Sequence, residues 1–227
     1  MSVRVVLGEI GAKDATTRTV LPTVVQPKWA PFLRVAETIA TPRRRFPPHG
    51  HDGVEVLTHV IEGSGRYECS PNPPEAVGAG STTLLTAPTS VQHAINPGKG
   101  QTVRWFAVVV SLPPGAASAP RVQSAQVQGP GEQPDRTTVH RLVGPGTTIK
   151  SAVGLEAESI EFGSSGASFR RVGHDRVAIC YALSGRGTVD NQPLDGGEAA
   201  LIEDAAGIAF QGQSGLRLVL VSAPRKS

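Results

Sequence analysis

Apolar residues fall along this chain in short runs divided by turn formers: VEVLTHVIEG, STTLLTA, TVRWFAVVVS, RVAICYALSG, EAALIED and LRLVLVS. Runs of this length predict strands, and their recurrence with Gly and Pro between them predicts a β-sandwich or barrel. The stretch PPGAASAPRVQSAQVQGPGEQPD, from Pro113 to Asp135, carries no such pattern and predicts a linker or a long surface crossing. We therefore expect an N-terminal domain over residues 1–118, a linker over 119–135 and a C-terminal domain over 136–227. A chain of 227 residues can hold two cores, since domains commonly run to about 100–150 residues.

The two sides of that stretch follow one plan. Glu62-Gly63-Ser64-Gly65-Arg66 after VLTHVI corresponds to Ser184-Gly185-Arg186-Gly187-Thr188 after AICYAL, each the turn of a hairpin. Ala79–Leu85 corresponds to Gly196–Ile202, and the closing run Ala107–Pro113 to Leu218–Pro224. Matches in the same order predict an internal duplication. On this alignment His49, His51 and His93 become Arg171, Gly173 and Phe210, so the copies share a scaffold but not its imidazoles. The first half would then be functional and the second structural, with His174 an ordinary loop residue.

Composition supports the all-β reading, because 26 Gly and 19 Pro leave little room for long helices in a chain that is 39% hydrophobic and 18% charged. The formal charge of +3 comes from scattered residues, apart from Arg43-Arg44-Arg45 and the terminal Arg225-Lys226. It predicts no nucleic-acid binding, which calls for a clustered patch. The triple Arg precedes the His motif and is either a solvated loop or a lure for an anionic substrate at the site mouth. No apolar run reaches the length of a membrane span and no signal peptide is legible, so we expect no membrane partner and a cytoplasmic location. Cys69 and Cys180 are expected to be buried or idle thiols rather than a disulfide.

Chemistry concentrates in Phe46-Pro47-Pro48-His49-Gly50-His51-Asp52-Gly53-Val54-Glu55 and, some forty residues on, Thr89–Ile95; four of the six His lie between 49 and 93. In an extended strand His49 and His51 share a face, as does Glu55 if no bulge intervenes. His93 on a neighbouring antiparallel strand would complete a three-imidazole set that leaves coordination positions open. Imidazole suits iron, copper, nickel and zinc alike.

The segment PPHGHDGVEVLTHVIEG resembles the signature of the pirins. WAPFLRVAETI is similar to the family's segment ahead of that motif, and GASFRRV with ALSGRGTVDNQPLDGGEAALIED resembles its second domain, so the likeness runs from about Trp29 to Val221. The resemblance implies two cupin-type β-barrel (jelly-roll) domains in tandem. It implies one transition metal ion in the N-terminal barrel, iron first and nickel, copper, manganese or zinc otherwise. It implies a metal-dependent oxygenase of the quercetin 2,3-dioxygenase type acting on an aromatic or enolic small molecule. A non-redox cupin isomerase or cyclase, or a metal-binding regulator whose protein partner the sequence does not name, are the alternatives. Carried over by position, the family's His ligands fall on His49, His51 and His93, while the place of its fourth ligand, a Glu, holds Ile95. Glu55 is the nearest replacement, as a ligand or as a hydrogen-bond partner of a ligand His; if not a ligand it would serve as the catalytic base. His59, of the same parity, is either a pocket residue or a packed core imidazole.

Overall fold

A computed structural model of the chain describes residues 2–10, 17–24, 26, 29–127, 131, 132 and 137–225. Residues 128–130 and 133–135 of the expected linker, and Lys226, lie outside them. All regular elements among the described residues are strands, and no helix is long and apolar enough to cross a membrane.

The chain opens with β1 (Ser2–Leu7), then runs through β2 (Glu9–Ile10), β3 (Thr17–Leu21), β4 (Phe32–Ala40), β5 (His49–His51), β6 (Val54–Cys69), β7 (Asn72–Gly78), β8 (Ser81–Ala87), β9 (Val91–Pro97), β10 (Val103–Ser111) and β11 (Arg121–Gln126). The second half holds β12 (Gly131–Glu132), β13 (Thr137–Val143), β14 (Glu156–Phe162), β15 (Gly166–Arg171), β16 (Arg176–Ser184), β17 (Arg186–Val189), β18 (Gln192–Asp195), β19 (Glu198–Glu203), β20 (Gly207–Gly212) and β21 (Arg217–Pro224). Two compact units result: Glu9–Val127 with Ser151–Val153, and Met1–Gly8 with Gln128–Lys150 and Gly154–Ser227.

In the N-terminal unit one layer runs β11-β8-β6-β10-β4-β3-β2, and β7, the end of β6, β9 and β5 form the other. The long strand β6 joins the layers. Its residues 54–63 pair with β10 or β8 and its residues 64–69 with β7 or β9. The change of sheet occurs at Gly63, where φ is +75° and a Cβ would stand 1.9 Å from the Thr102 carbonyl oxygen. Only glycine fits there. Gly185 makes the same turn between β16 and β17, with φ +80°. The C-terminal unit repeats the arrangement as β1-β19-β16-β21-β14-β13-β12 and β15-β20-β17-β18.

The expected division changes in three places. β1 pairs with β19 of the C-terminal unit, filling the edge position that β11 fills beside β8 in the N-terminal unit. The RVQSAQ segment, read as linker, is therefore a strand, its alternation masked in sequence by small and polar neighbours. Third, Ser151–Val153 belongs to the N-terminal unit, tied there by Glu55, as described below.

The interiors differ. The C-terminal barrel is filled by Phe162, Ile208, Phe210, Leu218 and their neighbours, all essentially without solvent contact. The N-terminal core, around Val56, Tyr67, Leu85, Ile95 and Trp105, instead borders a cavity.

Candidate metal centre

The site starts from a three-residue strand. In the β5–β9 ladder His49 is opposite His93 and His51 opposite Val91. Because side chains alternate along a strand, His49 and His51 share the face that His93 presents across the ladder. The His49 and His51 rings lie 5.0 Å apart, and each is 4.7 Å from His93. One ring nitrogen from each falls within 4.8 Å of the others. The three candidate ligands are thus brought together.

Their orientation is fixed from behind. His49 Nδ1 lies 3.2 Å from the Pro47 carbonyl oxygen, which can only accept, so this nitrogen carries the proton and Nε2 the lone pair. His93 Nδ1 is 3.0 Å from Tyr67 Oη. Burial first, and the charges of Cys69 and Glu75 next, push the Tyr67 hydroxyl above its usual range, so it stays protonated. Nε2 of His51 and of His93 approach to 3.0 Å. Burial, with the charges of His49 and Arg34, pulls His51 down to about 4; burial, with His49 and His51, pulls His93 down to about 3. Both rings are therefore neutral near pH 7, the form in which imidazole binds metals.

This donor set fits a transition ion. Bonds of about 2.1 Å set at right angles separate neighbouring donors by about 3.0 Å, whereas a tetrahedral angle separates them by about 3.4 Å. The His51–His93 separation of 3.0 Å matches the first. The three imidazoles stand in the wall of a cavity of about 340 Å³, whose other lining includes Val56, Ile95, Trp105 and Val109.

Ile95 occupies the face expected for it, two residues beyond His93 on β9 and buried in the cavity wall. Glu55 does not. Gly53, at φ +64°, turns the chain between β5 and β6 and breaks the alternation on which the shared parity of Glu55 depended. Val56 and Thr58 of β6 line the cavity. Glu55 faces the other way, fully buried, where Thr86 Oγ1 donates at 2.8 Å, Ala152 N at 2.9 Å and Ser151 Oγ at 2.5 Å. It stands apart from the three-imidazole cluster and outside the residues that line the cavity. His59, on the same face, pairs through Nδ1 with Thr82 Oγ1 at 2.9 Å and is a packed core imidazole.

Comparison with solved structures follows from this geometry. GK1651 of Geobacillus kaustophilus matches with a TM-score of 0.85 at 22% identity, over 97% of this chain and 94% of that one. A quercetin 2,3-dioxygenase of Acinetobacter baumannii gives 0.79 at 18%, over 98% and 79%. The Escherichia coli pirin YhhW, solved in complex with nickel(II), gives 0.77 at 16%, over 98% and 100%. The fold is that of the pirin-like bicupins. By sequence, a candidate quercetin 2,3-dioxygenase of Pasteurella multocida (strain Pm70) is 31% identical over 93 residues, which span 40% of this chain and 40% of that protein. No protein-family model matches the chain.

Within this pirin-like fold, strand pairing corrects the register between the two barrels. Gly65 pairs with Pro97 as Gly187 pairs with Gly212, so His93 corresponds to Ile208 and Ile95 to Phe210. Ile208 faces Arg170 across β15 and β20, which places Arg170 at the position of His49 and Val172 at that of His51. Likewise Thr58 faces Ala107 and Cys180 faces Leu220, two positions from the pairing read by sequence. The second barrel still lacks all three imidazoles. In their place Arg170 makes a paired contact with Glu158, at 2.7 and 2.5 Å.

Three residues of the site escaped the sequence reading, two in the cavity wall and one behind His93. Tyr67 was hidden because its place beside His93 depends on the β6–β9 register. Trp105, packed edge-on against Phe46 at 5.7 Å, read only as part of an apolar strand. Arg34 left a signal that was passed over, a cation amid the apolar run FLRVA whose parity with Ala36 and Thr38 puts it on the cavity side.

Proposed function

We propose that the N-terminal barrel holds one transition metal ion, iron first, on His49, His51 and His93, and is a metal-dependent oxygenase of the quercetinase type acting on an aromatic or enolic small molecule. The observation that carries this reading is the convergence of three imidazoles, two of them held neutral by burial, at the wall of an apolar cavity. The likeness to pirin-like structures, one of them in complex with nickel(II) and one a quercetin 2,3-dioxygenase, supports the reaction class. A bound ion would supply Lewis-acid stabilisation of an ionised hydroxyl and an open position for oxygen.

The protein's own contribution is orientation and exclusion of water. Pro47 and Tyr67 hold the far nitrogens of His49 and His93, which keeps the Nε2 lone pairs aimed at one point. Val56, Ile95, Trp105 and Val109 give a planar substrate apolar walls and lower the local dielectric. With Glu55 turned away, no carboxylate side chain among the described residues lines the cavity to act as a base; an ion held by His49, His51 and His93 would acidify a bound hydroxyl.

The test is oxygen uptake by iron-loaded protein with a panel of flavonols and enediols, beside a His93→Ala control. Uptake that requires His93 supports the oxygenase. A metal-replete sample that turns over enediols without consuming oxygen would make the non-redox isomerase the better reading.

A further inference from the structure

The charges around the cavity do not balance. Its walls include Arg34 and three imidazoles but no Asp or Glu among the described residues. Asp52, adjacent to His51, is exposed and outside the wall, and Glu55 is engaged with Ser151, Ala152 and Thr86 on the opposite face. The position that most nearly faces His93 along β9 is the apolar Ile95. Three neutral imidazoles would not offset the charge of a divalent ion, and Arg34, on β4, adds a guanidinium to the same cavity wall.

The second barrel supplies an internal contrast. By the strand pairing given above, β4 maps onto β14 so that Arg34 corresponds to Glu156 and Ala36 to Glu158. There Glu158 accepts from Arg170 and Arg141, and Glu156 lies 3.6 Å from Arg176. The same mouth in that copy is neutralised from within. In the N-terminal copy both acidic positions are replaced, one by a cation and one by a methyl group, and the cavity stays open. Arg34 is solvent-exposed at the cavity wall with no acid beside it in that wall, so its guanidinium is free to take an anionic group that a ligand brings.

We propose that the cavity selects an apolar carboxylate, its acid group held between Arg34 and the ion on His49, His51 and His93, and its hydrocarbon or aromatic body against Val56, Trp105 and Val109. This deepens the proposed function and rests on its metal site. Guanidinium and carboxylate match in a planar, two-pronged contact. The exposed Arg43-Arg44-Arg45 turn runs directly into Phe46 and Pro47 of the cavity wall, so it raises the concentration of anions at the entrance.

The experiment compares benzoate with benzyl alcohol on the full chain loaded with cobalt(II), followed by the visible absorption of the ion. Benzoate should bind about tenfold or more tightly than the alcohol, and Arg34→Leu should remove that preference while leaving cobalt stoichiometry and alcohol binding unchanged. Arg34→Lys should recover part of it. Equal affinities in the wild type, or an Arg34→Leu variant that keeps the preference, overturn the inference. Tryptophan fluorescence in the metal-free protein repeats the titration through Trp105. If cobalt fails to bind, the metal site falls; an Arg34-dependent benzoate preference in that fluorescence titration would then still uphold the acid-binding role, and its absence would end it.

Discussion

Tyr67 and His93 are joined through Oη and Nδ1 at 3.0 Å, on the edge of the His93 ring away from the nitrogen that meets His51. A hydroxyl buried in this place stays protonated, and where it accepts from the Nδ1–H of His93 the Nε2 lone pair is left free. Tyr67→Phe should therefore fold normally and bind metal about tenfold or more weakly, the usual cost of losing a partner behind a ligand. Competition with a chelator measures it. Unchanged affinity would mean that packing alone orients His93.

Proton binding gives a second expectation, for the metal-free protein. His51 and His93 titrate at about 4 and about 3 in the folded chain, below the ordinary 6.5. Between those values and 6.5 the unfolded chain binds protons that the folded chain refuses, so stability is full above pH 6.5 and falls as pH drops toward 4. Thermal midpoints measured from pH 8 to 4 should show this decline. A His93→Asn variant should show a flatter profile, and saturating metal should steepen the acid loss because protons then compete with the ion as well.

Much of this site was legible before the structure. His49 and His51 converge because alternation is a local property, and His93 joins them through one hairpin ladder. The facing of Glu55 was lost at the left-handed Gly53, a turn that the Asp52-Gly53 pair does signal but whose effect on strand parity the residues alone do not give. The other failures were non-local. The offset between the two barrels shifts along the chain because their turns differ in length, so an alignment correct at Gly63 and Gly185 is two residues out by β9 and β20. The pairing of β1 with β19 joins segments nearly 200 residues apart, and no periodicity reports a partner at that distance.

The relocation of Glu55 carries its own consequence. Its carboxylate anchors the Ser151–Val153 segment by accepting from Ser151 Oγ and from the backbone N–H of Ala152. Glu55→Gln replaces charge-assisted bonds with neutral ones at a site without solvent, and should cost about 1–3 kcal/mol of stability. Metal affinity should stay within error of the wild type. Thermal melts beside chelator competition separate the two; a fall in affinity without a fall in stability would return Glu55 to the metal site.

Ile95 is the position at which one substitution should alter metal, stability and ligand choice together. It lies two residues beyond His93 on β9, opposite Tyr67 in the β6–β9 ladder, with 3% of its surface exposed, in the cavity wall. A Glu there would place a carboxylate on the face that His93 uses. In the metal-free protein that carboxylate is desolvated and only Arg34 can answer its charge, so Ile95→Glu should lower the thermal midpoint. With metal the sign reverses: an anionic fourth ligand should tighten binding on the order of tenfold or more, because attraction to a divalent ion is strong where water is excluded. The rise in midpoint on adding metal should exceed that of the wild type for the same reason. Benzoate should bind the cobalt-loaded variant more weakly, since the new side chain supplies the negative charge that the ligand otherwise brings. Chelator competition must be run at fixed pH, because imidazole protonation also moves the affinity. A folded Ile95→Glu protein with wild-type metal affinity would mean that residue 95 faces the cavity but not the ion, and the three imidazoles would then direct their open positions elsewhere in the barrel.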